Sequence, residues 1–145
     1  MFHFVRSINK LAKKTTFLTV DAIIIQKDEI VLIKRRDEPF RGCWAFPGGM
    51  VEYNECVETA VVREAKEETG LDVKIEKLFN VYSAPGRDPR GHSVSVCFIC
   101  RSIGGSMQAD TDSEEVRLFK LSALPKLAFD HEKILDDVIA KRRNE

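Results

Sequence analysis

A glutamate-rich stretch at residues 48–71 constrains the fold of this chain more than any other part of it. Its apolar residues recur three and four positions apart, which is the spacing of an amphipathic helix that packs one face against a core. These residues are Val57, Ala60, Val61 and Ala65. We expect Asn54 to cap the N-terminus of the helix and Gly70 to end it in a left-handed conformation. The rest of the chain must therefore supply an apolar surface that covers one face of this helix.

Three glutamates of the predicted helix, Glu64, Glu67 and Glu68, lie on one face within a single turn, because they stand at positions i, i+3 and i+4. Like charges at that spacing repel each other by roughly 0.2–0.5 kcal/mol per pair. A divalent cation would remove this repulsion, and Mg²⁺ and Mn²⁺ prefer oxygen ligands. The alternative is a solvated, glutamate-rich helix face, and the spacing alone does not exclude it.

The wider pattern around these glutamates resembles the Nudix box, G-x5-E-x7-R-E-U-x-E-E-x-G-U, in which U is aliphatic. The seven fixed positions are occupied by Gly49, Glu55, Arg63, Glu64, Glu67, Glu68 and Gly70. Leu71 fills the last aliphatic position, and the small Ala65 fills the first. Agreement at all the fixed positions would arise by chance in fewer than about one in a million chains of this length. The resemblance extends from about Phe17 over nearly all the remaining chain.

Strand-like and helix-like patterns alternate along the chain. Strands are predicted at Phe17–Gln26, Glu29–Arg35, 73–82, 92–101 and 116–121, and a second helix is predicted from its cap at Asp130 to about Arg143. Strands interspersed with two helices predict an α/β or α+β layered domain. The resemblance to the Nudix family implies the more specific α/β architecture, an α/β/α sandwich with a central mixed sheet.

The length and charge of the chain limit its partners. Its 145 residues fit one domain, and its formal net charge of +0 implies no general affinity for nucleic acid or an anionic membrane. No apolar run approaches the length of a membrane span. The four cysteines show no disulfide framework, so we expect a cytoplasmic protein.

Residues 1–16 form a predicted basic extension to a Nudix hydrolase domain at residues 17–145. The extension contains no acidic residue, and its basic residues are Arg6, Lys10, Lys13 and Lys14. We expect it to pack on the domain or on a partner. The alternative is a mitochondrial transit peptide, which shares this basic, acid-free composition.

The resemblance implies hydrolysis of a nucleoside diphosphate linked to another moiety, with Mg²⁺ or Mn²⁺ as the cofactor. Metal ions neutralise phosphate charge as water attacks, and they lower the pKa of bound water. The ligands that the resemblance implies are Glu64, Glu67, Glu68 and the backbone carbonyl of Gly49. Arg63 would pair with Glu55 or orient the ligand carboxylates.

The general base that the resemblance implies is either a glutamate of the box or an acid on a distal loop, because the family uses both. An acidic loop predicted at residues 109–115 offers Asp112, Glu114 and Glu115. Our candidate is Glu114. The alternative for each of these acids is a solvated position with no role in catalysis.

A second loop, at residues 84–92, is predicted to bind the substrate. Arg87, Arg90 and His92 could hold a phosphate or a ribose, since the fork of an arginine suits phosphate oxygens. Pro85, the RDPRGH run and residues 127–133 resemble the ADP-ribose pyrophosphatase branch of the family. That branch implies hydrolysis of ADP-ribose, or of a related nucleoside diphosphate sugar, to AMP and a sugar phosphate. Trp44 either stacks on a base of this nucleotide substrate or lies in the core.

Two other functions remain open at this point. One is that of a MutT-like enzyme, which cleaves an oxidised or normal nucleoside triphosphate to a monophosphate and pyrophosphate. The other is an ADP-ribose-sensing module without turnover. The resemblance also implies a homodimer, which composition does not test.

Overall fold

The computed structural model of the chain describes residues 15–109 and 113–145, without the side chain of Glu114. Most of the predicted basic extension, residues 1–14, and the candidate base Asp112 therefore lie outside the described residues. The strands are β1 (Phe17–Gln26), β2 (Glu29–Arg35), β3 (Trp44–Ala45), β4 (Gly48–Met50), β5 (Leu71–Tyr82), β6 (Ser93–Gly105) and β7 (Ser113–Lys120). The helices are α1 (Val57–Thr69) and α2 (His131–Arg143). Among the described helices, none combines the length and apolar character needed to cross a membrane.

In the described part of the chain, β1 lies at the centre of a seven-stranded sheet. It pairs in parallel with β6 and antiparallel with β2 and β4. β2 also pairs antiparallel with β3 and with β7, and β5 pairs antiparallel with β6. This combination of parallel and antiparallel pairs confirms the predicted mixed sheet.

The two helices cover opposite faces of this sheet. Val20, Ala22 and Ile24 of β1 pack in one cluster with α1, whereas Ile23 and Ile25 pack in a second cluster with α2. The alternation follows from the two-residue period of a strand. Full burial of such side chains contributes about 1.5–3 kcal/mol each, so the two clusters fix the register of β1. The α/β/α sandwich is confirmed.

The predicted ends of β1 and β2 agree with the structure, whereas three later strands extend beyond the predicted limits. β6 continues to Gly105 because its end pairs with the start of β5, where Leu71 stands opposite Gly105. β7 begins at Ser113, which pairs with Arg35 of β2. The predicted acidic loop at residues 109–115 is therefore partly wrong, since its last three residues belong to a strand.

The prediction that Asn54 caps α1 is wrong. Cys56 occupies the cap position without a side-chain cap bond, and Asn54 lies two residues earlier with a positive φ of 64°. A turn holds this segment, because the backbone N–H of Glu55 bonds the carbonyl of Glu52. The prediction for Gly70 is confirmed, since its φ is 79° and its N–H bonds the Lys66 carbonyl.

Candidate active site

A cavity of about 630 Å³ opens where β1, the end of β2, β4 and α1 meet the start of α2. Its lining combines carboxylates with arginines. The carboxylates include Asp21, Glu64, Glu68 and Asp88, and the arginines include Arg35, Arg87 and Arg90. The structure therefore brings two of the predicted metal-binding glutamates and two of the predicted substrate-binding arginines to one cavity.

Arg63 connects the carboxylates of the helix to the turn before it. Its guanidinium donates two hydrogen bonds to Glu55, at 2.7 and 2.8 Å, and one to Glu64 at 2.9 Å. The hydrogen bonds from Arg63 lower the pKa of Glu55 to about 2. The predicted pairing of Arg63 with Glu55 is thus present, and the same guanidinium orients Glu64.

Glu68 is the most buried carboxylate among the predicted metal ligands. Its Oε1 accepts a hydrogen bond from the backbone N–H of Gly48 at 3.0 Å. Burial raises the pKa of Glu68 to about 9, and the nearby Glu64 and Asp21 carboxylates add to the shift. Burial also raises the pKa of Glu64. Burial thus disfavours the charged form of both carboxyl groups, and a bound divalent cation would offset that cost.

Gly49 lies directly against the Glu64 carboxylate. A Cβ atom at this position would stand 2.5 Å from both the carboxyl carbon and Oε1 of Glu64. Only glycine lets the backbone come this close to the carboxylate. Two half-buried or buried carboxylates beside an accessible backbone are a donor set that fits a hard divalent cation.

Glu67 is placed differently from the other two glutamates. Its side chain is half exposed and contacts the Arg63 guanidinium at 3.2 Å. Among the described residues, no three carboxylate, imidazole or thiol groups already stand around one point as metal ligands. Glu64 and Glu68 are thus the pair that the fold assembles, and a metal-binding role for Glu67 stays a prediction.

The arginines that line the cavity differ in their partners. Arg87 is buried and forms a two-pronged ion pair with Asp130, at 2.8 and 2.9 Å, and a 2.6 Å hydrogen bond to Ser93. Arg90 also forms a two-pronged pair, with Asp88 at 2.9 and 3.1 Å, but its side chain is half exposed and has no third partner comparable to Ser93 among the described residues. The bonds of Arg87 use its guanidinium to hold the loop on α2, which leaves it less able to bind a substrate.

Arg35 was not among the predicted site residues. Its Nε donates to the Pro39 carbonyl at 2.7 Å, and no carboxylate of the described residues forms an ion pair with it. Burial and the nearby Arg90 lower its pKa. The signal in the sequence was its place at the end of a predicted strand, but the pattern could not show that this end faces the cavity.

Two further predicted residues do not line the cavity, and the side chain of a third is not described. His92 is exposed, and its Nε2 contacts the Ser83 carbonyl at 2.7 Å. Trp44 occupies the core position given as its alternative, with its ring packed edge-on against Phe119. Glu114 belongs to β7, and its role as the base stays a prediction.

Asp21 and His131 also line the cavity and were missed as site residues. Asp21 is buried and accepts a hydrogen bond from the Ser95 hydroxyl. His131 is buried, and its Nε2 stands 3.7 Å from Oδ1 of Asp21. An acid inside an otherwise apolar strand was the signal for Asp21, because buried carboxylates need partners.

We expect Arg63→Ala to weaken divalent-cation binding by about 10- to 100-fold, because the variant loses the group that orients Glu64. Arg63→Lys should be intermediate, since an ammonium group cannot form the two-pronged pair with Glu55 and still reach Glu64. Mn²⁺ titration followed by electron paramagnetic resonance measures the affinity, with circular dichroism as the check on folding. A folded Arg63→Ala variant with wild-type affinity would refute the orienting role.

Comparison with known protein families gives a match to the NUDIX domain over residues 15–138. An ADP-ribose pyrophosphatase of Methanocaldococcus jannaschii is 57% identical over 120 residues, which cover 83% of this chain and 71% of the relative.

Solved structures also resemble the chain. A bifunctional NMN adenylyltransferase/ADP ribose pyrophosphatase of Francisella tularensis, complexed with AMP and a Mn ion, matches with a TM-score of 0.84 and 26% identity. The match covers 97% of this chain but only 46% of that one. The NUDIX domain of Shewanella oneidensis NrtR, complexed with ADP ribose, matches with a TM-score of 0.77 and 25% identity, over 99% of this chain and 98% of that one.

Proposed function

The chain belongs to the NUDIX domain family, and on that premise we propose that it hydrolyses ADP-ribose, or a related nucleoside diphosphate sugar, to AMP and a sugar phosphate. The observation that carries the proposal is the cavity in which Glu64 and Glu68 lie together with arginines. A diphosphate needs both a cation and positively charged side chains around it as water attacks. The 57% identity to an ADP-ribose pyrophosphatase supports ADP-ribose as the first choice of substrate.

Glu64, Glu68 and the carbonyl of Gly49 would hold the divalent cation, which we propose to be Mg²⁺ or Mn²⁺. When bound, this cation supplies charge for the phosphate oxygens and makes water a better nucleophile. The Gly48 N–H and the Arg63 guanidinium fix the orientations of the two carboxylates. These two contacts restrict the carboxylates, which lowers the reorganisation that cation binding would need.

Arg35 and Arg90 are the side chains that we propose for contact with the diphosphate. Both guanidinium groups lie over the ring of Phe129, at 5.0 and 5.4 Å from its centroid. The ring restricts the two arginines to the wall of the cavity, where paired N–H groups can meet phosphate oxygens. Arg87 takes the supporting role of holding the loop on Asp130.

The candidate for the general base lies at the start of β7. Glu114 stays our candidate, since it follows Ser113, whose hydroxyl donates to the carbonyl of Glu68. The start of β7 is thereby fixed next to the end of α1. The cytoplasmic location and the homodimer expected from the sequence also stay predictions.

The proposed substrate is tested by a panel of ADP-ribose, other nucleoside diphosphate sugars, dinucleotides and nucleoside triphosphates, each incubated with the protein and Mg²⁺. We expect AMP and a sugar phosphate from ADP-ribose, no reaction in the presence of a chelator, and recovery when Mg²⁺ is restored in excess. Chromatography of the nucleotides and a separate pyrophosphate assay identify the products.

Two other results of the panel would each support a different function. Pyrophosphate released from triphosphates, with ADP-ribose unchanged, would establish the MutT-like alternative. ADP-ribose binding in calorimetry without any turnover would establish a sensing module. Either result would contradict the proposed pyrophosphatase activity.

A further inference from the structure

Residues 126–131 lie beside residues 44–46, which precede β4 in the chain. The backbone N–H of Trp44 bonds the Lys126 carbonyl at 3.0 Å, and the Ala128 N–H bonds the Trp44 carbonyl at 2.8 Å. Two residues further on, the N–H of Phe46 bonds Nδ1 of His131 at 3.1 Å. The imidazole thus takes the place that a backbone carbonyl would occupy in a continued strand pair.

The contacts of His131 fix the state of its ring. Because Nδ1 accepts the Phe46 N–H, the proton of the neutral ring must be on Nε2, which faces Asp21. Burial lowers the pKa of His131, which favours this neutral form. The ring also stacks on Phe46, with centroids 4.3 Å apart and planes inclined by 16°.

A short path leads from this ring to the carboxylate pair. Phe46 precedes Pro47, whose carbonyl accepts the Ala22 N–H at 2.8 Å. The next residue is Gly48, which pairs with Asp21 and whose N–H bonds Glu68. His131 therefore holds the backbone two residues before the group that orients Glu68.

We propose that His131 is a positioning residue for the cation site, and that its Nδ1 sets the place of residues 46–49 and thereby the orientation of Glu68 and the approach of Gly49 to Glu64. The inference rests on the proposed function in so far as Glu64 and Glu68 bind a divalent cation. It assigns to the first residue of α2 a role in a site that is otherwise built from β4 and α1.

Two substitutions separate the hydrogen bond from the stacking. His131→Phe keeps a flat ring against Phe46 but removes the acceptor, which leaves a buried N–H without a partner. His131→Asn removes the ring, but its Oδ1 can take the position of Nδ1. The proposal predicts that the acceptor matters more than the ring.

The first experiment measures Mn²⁺ affinity by electron paramagnetic resonance for the wild type and both folded variants. We expect His131→Phe to bind Mn²⁺ about tenfold more weakly and His131→Asn to bind close to wild type. Wild-type affinity in His131→Phe would overturn the inference while leaving the proposed function intact. Absence of Mn²⁺ binding by the wild type would overturn both.

The second experiment is independent of the metal. Amide hydrogen exchange in chelator should be faster at Gly48 in His131→Phe, while an amide of β6 such as Phe98 keeps its wild-type rate. Equal acceleration at both amides would show a merely structural role, and no acceleration at Gly48 would refute the positioning role.

The wild-type chain supplies a test that does not depend on how the variants fold. The ¹⁵N resonances of the His131 ring should show a protonated Nε2 and an unprotonated Nδ1, and they should shift when Mg²⁺ is added. A protonated Nδ1, or no response to Mg²⁺ that binds, would contradict the proposal.

Discussion

Replacing Glu68 by glutamine is expected to lower kcat for ADP-ribose by about a hundredfold or more, because the variant loses a charged ligand of the proposed cation site. Glutamine keeps an oxygen that can accept the Gly48 N–H, so the fold around the site should persist. Glu58→Gln is the matched control, since it makes the same change at an exposed position of the first turn of α1. Steady-state kinetics with saturating Mg²⁺ provide the comparison.

The same substitution is expected to make the metal-free protein more stable, and increasingly so as the pH rises. Burial raises the pKa of Glu68 to about 9 in the folded state, above the ordinary value of about 4.5 that applies to the unfolded chain. Between these values the unfolded chain releases the proton more readily, so wild-type stability falls as the pH increases. Below about pH 4.5 the carboxyl is protonated in both states and this penalty is absent.

Glutamine has no proton to release, so Glu68→Gln escapes the penalty. At pH 8 in chelator, the variant should exceed the wild type by a few kcal/mol in the free energy of unfolding, and the gap should close near pH 4.5. Urea unfolding at several pH values measures this difference in the free energy of unfolding. If the variant were no more stable than the wild type at pH 8, burial would not be raising the pKa of Glu68 in the folded state.

Arg87→Ala is expected to destabilise the fold by about 3–5 kcal/mol, since it would leave the partly buried Asp130 carboxylate without its partner. The Arg87 side chain is 6% exposed and that of Asp130 19%, so water would replace the lost pair only in part. A fall in Tm of about 10 °C or more should result. The double change Arg87→Met with Asp130→Leu should recover part of the loss, because it removes both charges together.

Arg90→Ala is the control on the same loop. Asp88 is buried, but the backbone N–H of residue 90 also bonds its carboxylate and remains in the variant. We therefore expect a smaller loss of stability than in Arg87→Ala, and the main expected effect is a higher KM for ADP-ribose. The two arginines, which look equivalent in the sequence, should thus separate into one that affects stability and one that affects the substrate. An unchanged Tm in Arg87→Ala with a raised KM would reverse this assignment.

The parts of the fold that local patterns could predict are those that short-range physics determines. β1 and β2 were predicted to the residue because β-branched runs bounded by a turn define them. Gly70 was predicted because a left-handed stop needs glycine. The end of β6 and the start of β7 depend on partners elsewhere in the sheet, and no local pattern encodes them.

The part of the site that lies on α1 could be predicted from the sequence. The spacing of Glu64 and Glu68 implies their common face, and Arg63 pairs with Glu55 as the box suggests. The sequence could not show that Asp130 neutralises Arg87, because the two residues meet only through tertiary packing. Asp21 and His131 were missed for the same reason, since each becomes part of the cavity only when β1 and α2 pack together.

A decisive measurement is the rate of AMP formation from ADP-ribose by the wild type and by Glu68→Gln, compared side by side at the same Mg²⁺ concentration. We expect the wild type to form AMP and a sugar phosphate only when the divalent cation is present, and the folded variant to form AMP about a hundredfold more slowly or not at all. AMP formation by Glu68→Gln at the wild-type rate would show that the Glu64 and Glu68 pair does not bind the cation for this reaction.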